Sequence, residues 1–198
     1  MIRRISRYLI FVTLVTGTLS ACVSFGGGKA PAALLVLKPT TAIKNGYVQS
    51  GSAKDALVVL LPEVPRKLDT NRVPVQINQS SIAYLKGAIW ADKPARLMQM
   101  LLSETIAAKT NRLVLNEVDT GGKAELFVSG SLMEFGIDAN AMEAVVIYDA
   151  VKLVRGQAIE KRRFESHVAV GVVEAAPAGA ALNKAANIVT GDIADWLK

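Results

Sequence analysis

Apolar and polar positions follow two different spacings along this chain. Short apolar or alternating runs bounded by proline, glycine or asparagine are typical of β-strands. Such runs occur at residues 33–40, 56–61, 73–77, 82–85, 112–118, 124–138, 143–154 and 165–175. The last three predict a meander of long neighbouring strands. The run at 56–61 is apolar at consecutive positions, which is typical of a central strand that is buried on both faces.

Two segments instead repeat their apolar residues at three- and four-residue spacing, which predicts helices. The first begins near Asp92, a residue type that caps helices, and Pro94, which suits a first turn, and it extends to about Lys109. The apolar stripe of the C-terminal helix consists of Leu182, Ala185, Val189, Ile193 and Trp196. Strands and helices in this order predict an α/β fold with a mixed sheet and helices packed on it.

The first 22 residues differ in composition from the rest of the chain. Three arginines, at positions 3, 4 and 7, precede an apolar run at 8–19. That run is shorter than the roughly 20 residues that a membrane-spanning helix needs. The residues that complete the segment, Leu19-Ser20-Ala21-Cys22, resemble a bacterial lipobox.

This resemblance implies that residues 1–21 are a lipoprotein signal peptide and that Cys22, the single cysteine, becomes a lipidated N-terminus. Two or more acyl chains, such as palmitate, would hold the protein on a membrane almost permanently. In enterobacterial lipoproteins an aspartate after the cysteine causes inner-membrane retention, so Val23 implies an outer-membrane protein that faces the periplasm. Residues 22–33 predict a flexible tether, because they hold three glycines and no apolar period, and residues 34–198 predict a single domain.

The net charge of the chain is +6, from 23 basic and 17 acidic residues. Three of the basic residues lie in the leader, which has no acidic residue, so the mature chain retains only +3. A charge this small argues against nucleic acid as a partner. The basic run Lys161-Arg162-Arg163 is more typical of a solvated strand end than of a phosphate site. With 51% hydrophobic residues, the chain is able to bury a substantial core.

Groups that carry catalytic chemistry are few in this sequence. There is one histidine, His167, and there is no P-loop, no G-x-G-x-x-G and no H-E-x-x-H motif. We interpret His167 as an exposed or half-buried strand residue, because no nucleophile is paired with it in the sequence. Several glutamates could form a carboxylate pair, but no spacing selects two of them. The sequence therefore predicts a protein that is not an enzyme, with no metal and no cofactor besides the lipid on Cys22.

A set of short motifs extends from the first strand into the first helix. It comprises an apolar strand ended by proline, a Val-Pro-x-x-Leu-Asp segment, a Val-x-Ile strand, and a tryptophan followed by proline and a leucine-rich helix. The positions are Pro39, Val64, Pro65, Leu68, Asp69, Val75, Ile77, Trp90 and Pro94. Together with the strand at 143–154 and the alanine-rich final helix, they resemble the ABC-type transport auxiliary lipoproteins, the PqiC-like family. Lys86-Gly87 departs from the family, in which acidic or aromatic residues are commoner at this point.

This family resemblance implies a three-layer α/β/α sandwich with a mixed sheet, similar to the N-terminal domain of TolB. It also implies a part of a machine: a docking or collar subunit of a lipid transport system in the cell envelope. The implied partners are an MCE-domain protein with its permease and ATPase. Some members form rings, so a homo-oligomeric ring is a further expectation.

Two other functions stay open from the sequence: a periplasmic lipoprotein that binds a lipid or another small ligand, and a general envelope scaffold. For a surface that meets a partner or ligand, the sequence offers Tyr84, Trp90 and Pro94. A core role for Trp90, at the junction of strand and helix, competes with this surface role and is the favoured interpretation.

Overall fold

The computed structural model describes residues 33–198, which form nine strands and two α-helices. The strands are β1 (Ala33–Leu35), β2 (Leu57–Val59), β3 (Pro74–Asn78), β4 (Ser81–Tyr84), β5 (Ala88–Trp90), β6 (Val114–Leu115), β7 (Leu126–Asp138), β8 (Glu143–Val154) and β9 (Glu160–Ala169). The helices are α1 (Pro94–Thr110) and α2 (Ala175–Trp196). The signal peptide, Cys22 and nearly all of the tether lie outside the described residues. Ala33, assigned to the tether from the sequence, is the first residue of β1.

The centre of the main sheet is β7, the longest strand. On one side β8 pairs with it antiparallel, and β9 pairs antiparallel with β8, which confirms the predicted meander. On the other side β2 and β3 both run parallel to β7, followed outward by β6 and β4. Strands β1 and β5 form a separate parallel pair. The α/β fold with a mixed sheet and helices packed on it is therefore confirmed.

A glycine allows β7 and β8 to approach each other closely. Gly130 has a φ of +150°, and a Cβ added there would lie 2.1 Å from the backbone oxygen of Asp149 on β8. Any side chain would push these strands apart, so glycine is required by the pairing itself.

Helix α1 begins one residue later than the capping pattern suggests. Lys93 occupies the N-cap, Pro94 is the first helical residue, and the Asp92 carboxylate accepts a hydrogen bond from the Lys93 N–H at 2.7 Å. Proline is favoured at this first position because it lacks the N–H that would otherwise be unpaired there. The helix ends at Thr110, and the following C-cap residue, Asn111, has a left-handed conformation.

Both helices occupy one layer. The Thr105 and Thr190 hydroxyls lie 3.5 Å apart between them, and Lys109 of α1 bonds to Gly191 and Asp195 of α2. Strand β8 contacts only β7, β9 and α2, and β9 contacts only β8 and α2, among the substantial contacts between described elements. Within residues 33–198, the two helices therefore pack against each other as well as on the sheet.

Strand β9 begins five residues before the run that predicted it. Residues 160–164 have the composition of a polar connection, but they pair with β8 from Lys152 to Tyr148. An edge strand tolerates this composition, since its side chains on the face away from α2 reach water and no described strand pairs with its outer edge. Residues 170–174 were expected to continue the strand but lie in the turn before α2.

Candidate functional site

Trp90 is fully buried in the core, at the end of β5. Its ring lies 4.9 Å from the ring of Phe135 on β7, and its backbone N–H donates to the Asn71 oxygen at 2.6 Å. The indole Nε1 has no hydrogen-bond partner among the described residues. This burial corrects the expectation of a Trp90 contact surface and agrees with the core role favoured from the sequence.

Pro94 is also buried, in the first turn of α1. Its contribution to a contact surface was likewise expected from the sequence and is excluded by this burial. Tyr84 is different: it is half-buried at the end of β4, and the Arg72 guanidinium carbon lies 4.0 Å from the centre of its ring. Of the three residues proposed for a partner surface, only Tyr84 is accessible in this structure.

The larger accessible surface is on the meander, on the face opposite α2. We call it the open face and define it by the residues of β7, β8 and β9 whose side chains point away from the helices. Strand alternation and the pairing register assign to it Ser129, Ser131, Glu134 and Asp138 on β7, Glu143, Val145, Ile147, Asp149, Val151 and Leu153 on β8, and Lys161, Arg163, Glu165 and His167 on β9. Among the substantial contacts between described elements, neither α-helix packs on this face, and Lys67, in the segment between β2 and β3, pairs with Glu134 at its border.

One end of the open face is organised around Asp149. The Arg163 guanidinium donates to both Asp149 carboxylate oxygens, at 2.6 and 2.9 Å, and the Lys161 ammonium lies 3.7 Å away. The hydrogen bonds from Arg163 hold the pKa of Asp149 below its ordinary value. The pKa of Arg163 is raised in turn by the same carboxylate. Lys161 and Arg163 share Asp149, and Glu165 also acts on Arg163, so Lys161 is the less neutralised of the two cations.

The other end of the open face is richer in carboxylates. His167 Nδ1 lies 3.0 Å from Glu143 Oε2, which confirms a partly exposed strand histidine, and the Lys67 ammonium pairs with Glu134. Backbone N–H groups of residues 140 and 141 lower the pKa of Asp138. A cavity of about 210 Å³ is lined by Lys67, Glu134, Asp138 and His167, among others.

A second concavity, of about 350 Å³, lies beside α1 at the carboxyl ends of β2 and β6. Gln99 crosses it to donate from Nε2 to the Val59 oxygen at 2.9 Å, and Glu104 accepts from the Ile43 N–H at 2.8 Å. Met100, on the exposed side of α1, also lines this groove. Met98, the other methionine of α1, is fully buried, as expected for a methionine that fills the core.

Neither concavity has the composition of a metal centre. No group of three or more His, Cys, Asp and Glu side chains among residues 33–198 is arranged to hold a metal ion. In the same residues, neither helix combines the length and apolarity that crossing a bilayer requires. Tyr148, whose phenol is buried and lacks a hydrogen-bond partner there, has a pKa raised by that burial.

The sequence reasoning did not find the open face as a candidate site. A sequence signal for this face was present in the run at 143–154, where apolar residues occupy both alternating sets of positions. That pattern is typical of a strand with both faces covered. In the structure β8 is covered on one face only by described elements, so the same signal marks an accessible apolar surface.

Comparison with solved structures supports the fold. Protein XCC0632 from Xanthomonas campestris is similar at a TM-score of 0.66 and 17% identity, over 83% of this chain and 94% of that one. A second crystal structure, of an uncharacterized protein, matches at a TM-score of 0.62 and 15% identity, over 77% and 97% of the two chains. A PelC dodecamer from Paraburkholderia phytofirmans matches at a TM-score of only 0.38 and 11% identity, over 75% and 92%. At these identities the likeness of the first two concerns the fold.

Comparison of the sequence identifies the family. The search of curated proteins found no significant match. The family model described as an ABC-type transport auxiliary lipoprotein component matches residues 39–194, which include every described helix and strand except β1 and the end of α2. This family is a transport component, not an enzyme family. The chain belongs to the ABC-type transport auxiliary lipoprotein component family.

Proposed function

We propose that this protein is a membrane-anchored docking subunit of an ABC-type lipid transport system, and that it engages an MCE-domain protein in the cell envelope. The observation that carries the proposal is the family match over residues 39–194. The role needs no chemistry from the chain, which is compatible with the lack of a metal-ligating cluster in residues 33–198. In this proposal the folded body binds the partner and the lipid holds it at the membrane.

The anchor in this proposal is the acylated thiol of Cys22, and the membrane is the outer one, by the resemblance around Leu19 and Val23. Mass spectrometry of protein extracted from membranes should give the mass of a chain that begins at Cys22 and carries two or three acyl groups. The Cys22→Ser variant should be released from the membrane fraction. An intact leader, or an unmodified thiol in soluble protein, would contradict the anchor.

The docking role is tested by co-purification. The detergent-solubilised lipoprotein, in its wild-type acylated form, is mixed with the MCE-domain protein of the same organism at micromolar concentration. We expect a complex that co-elutes on size exclusion, whether or not ATP is present. Absence of a complex, with both proteins folded, would refute the docking role.

A lipid- or small-ligand-binding role is the second candidate, favoured by the groove of about 350 Å³ beside α1. Apolar side chains of Val59 and Met100 and polar groups of Gln99 and Asn116 line it together, as an amphipathic ligand would need. Lipid that remains bound through purification, in a protein that forms no complex with the MCE protein, would favour this role over docking.

A further inference from the structure

The open face carries more apolar side chains than a solvated sheet face usually does. Antiparallel sheets with one solvated face normally alternate apolar residues inside and polar residues outside. Strand β8 instead places Val145, Ile147, Val151 and Leu153 on the open face. All four are partly exposed. We call these four residues the apolar ridge. Asp149 separates the ridge into two apolar pairs, Val145 with Ile147 and Val151 with Leu153. Apolar side chains grouped in this way mark an interaction site, unlike scattered single apolar residues.

The charged side chains differ between the two ends of the apolar ridge. Near Val151, Lys161 and Arg163 both face the Asp149 carboxylate, and Glu165 also acts on Arg163. The Lys161 side chain is 64% exposed. Lys161 therefore has unused capacity to bind a further carboxylate. Near Val145 the carboxylates of Glu143 and Asp138 predominate, with His167 among them. A partner that fits is apolar along its middle and acidic at the end that meets Lys161.

We infer that the open face is the surface on which the protein partner of the transport system docks, with apolar side chains on the ridge and a carboxylate against Lys161. This inference rests on the proposed docking function and adds the surface and the chemistry of the partner. The partner segment buries the ridge, which excludes water from the Asp149–Arg163 pair and strengthens it. The helix layer on the opposite face stays free of the partner.

Matched substitutions on the two faces test the inference through binding to the MCE-domain protein. Ile147→Thr and Lys161→Glu change the open face, whereas Ile188→Thr and Lys184→Glu make the same changes on exposed positions of α2. We expect each open-face variant to weaken the complex about tenfold or more, as for residues at the centre of an interface, and the α2 variants to bind like wild type. If wild type binds and all four variants bind equally well, the docking surface is elsewhere and the inference is wrong.

A second measurement does not depend on the purified complex. Cys22 is the only cysteine, so Ile147→Cys and Ile188→Cys each introduce one thiol in the folded body, and wild type gives the background. In native membranes that contain the transport system, maleimide labelling at position 147 should be about tenfold slower than in purified protein, and labelling at 188 unchanged. Equal labelling at 147 in both preparations would overturn the inference. Protection that persists in vesicles reconstituted with this protein alone would also overturn it, because a membrane or a second copy would then cover the face.

Failure of the proposed function and failure of this inference are distinguishable. No complex with the MCE protein would reject the proposed function, whereas protection of position 147 that is lost in membranes without the transport system would still support the open face as the docking surface. A complex that forms without loss in the open-face variants would support docking and reject the surface.

Discussion

The two faces of the β7–β8–β9 meander are built from the same strands and have different properties. Towards the helices, Leu132, Phe135, Val146 and Tyr148 are fully buried. Away from the helices, the apolar ridge is only half-buried, and charged side chains surround it. Burial of apolar area is the main source of stability, so the helix-covered face carries most of it. Side chains on the open face can therefore serve recognition of a partner with little loss of folding stability.

Removal of Trp90 should give the largest effect on stability. The ring is fully buried against Phe135, and Trp90→Ala should lower the free energy of unfolding by about 3–5 kcal/mol. Denaturant unfolding followed by circular dichroism measures this, since Trp196 complicates the fluorescence signal. Unchanged stability together with lost partner binding would mean that Trp90 is a contact residue, against its burial.

A pair of leucines on neighbouring strands compares the two faces directly. Leu132 on β7 is fully buried in the core, whereas Leu153 on β8 belongs to the half-buried apolar ridge. Leu132→Ala should destabilise by about 2–5 kcal/mol because it leaves a cavity. Leu153→Ala should cost about 1 kcal/mol, in proportion to the smaller apolar area that it loses. If denaturant unfolding gave the same loss of stability for both variants, another segment of the chain would cover the open face in the isolated protein.

The Asp149–Arg163 pair should give the smallest effect, and it should depend on pH. Because Arg163 lowers the pKa of Asp149 in the folded state, the pair stabilises the protein above the ordinary carboxyl value of 3.8. This stabilisation is lost as pH falls through the lower folded-state value. Asp149→Asn should therefore reduce the acid sensitivity of unfolding below about pH 4, relative to wild type.

The wild-type slope is not due to Asp149 alone. The pKa values of Asp138 and Asp195 are also lowered, by backbone N–H groups and by Lys109 respectively, and both carboxylates remain in the variant. The difference between the two pH profiles isolates Asp149. Profiles that superimpose would show that the pair contributes no measurable stability, as is common for ion pairs with an exposed partner.

Local sequence was sufficient for several elements. The run at 143–154 matches β8, Glu143–Val154, at both ends, and Pro94 marks the first residue of α1 as proline does in many helices. The motifs around Pro65 and Trp90 were sufficient for the family. In each case the information lies within a few residues: a period, a residue that fixes its own backbone angle, or a short motif.

Contacts between distant residues decided the rest. The segment 160–164 has the composition of a loop and becomes strand because it pairs with β8. Asn183 and Asn187 of α2 bind the backbone of residues 38 and 40, about 145 positions earlier in the chain. Such contacts, like that between α1 and α2, place both helices on one face of the sheet. The alternation of β8 shows that both of its faces are apolar, but which face is covered depends on where the helices pack, and no local pattern contains that choice.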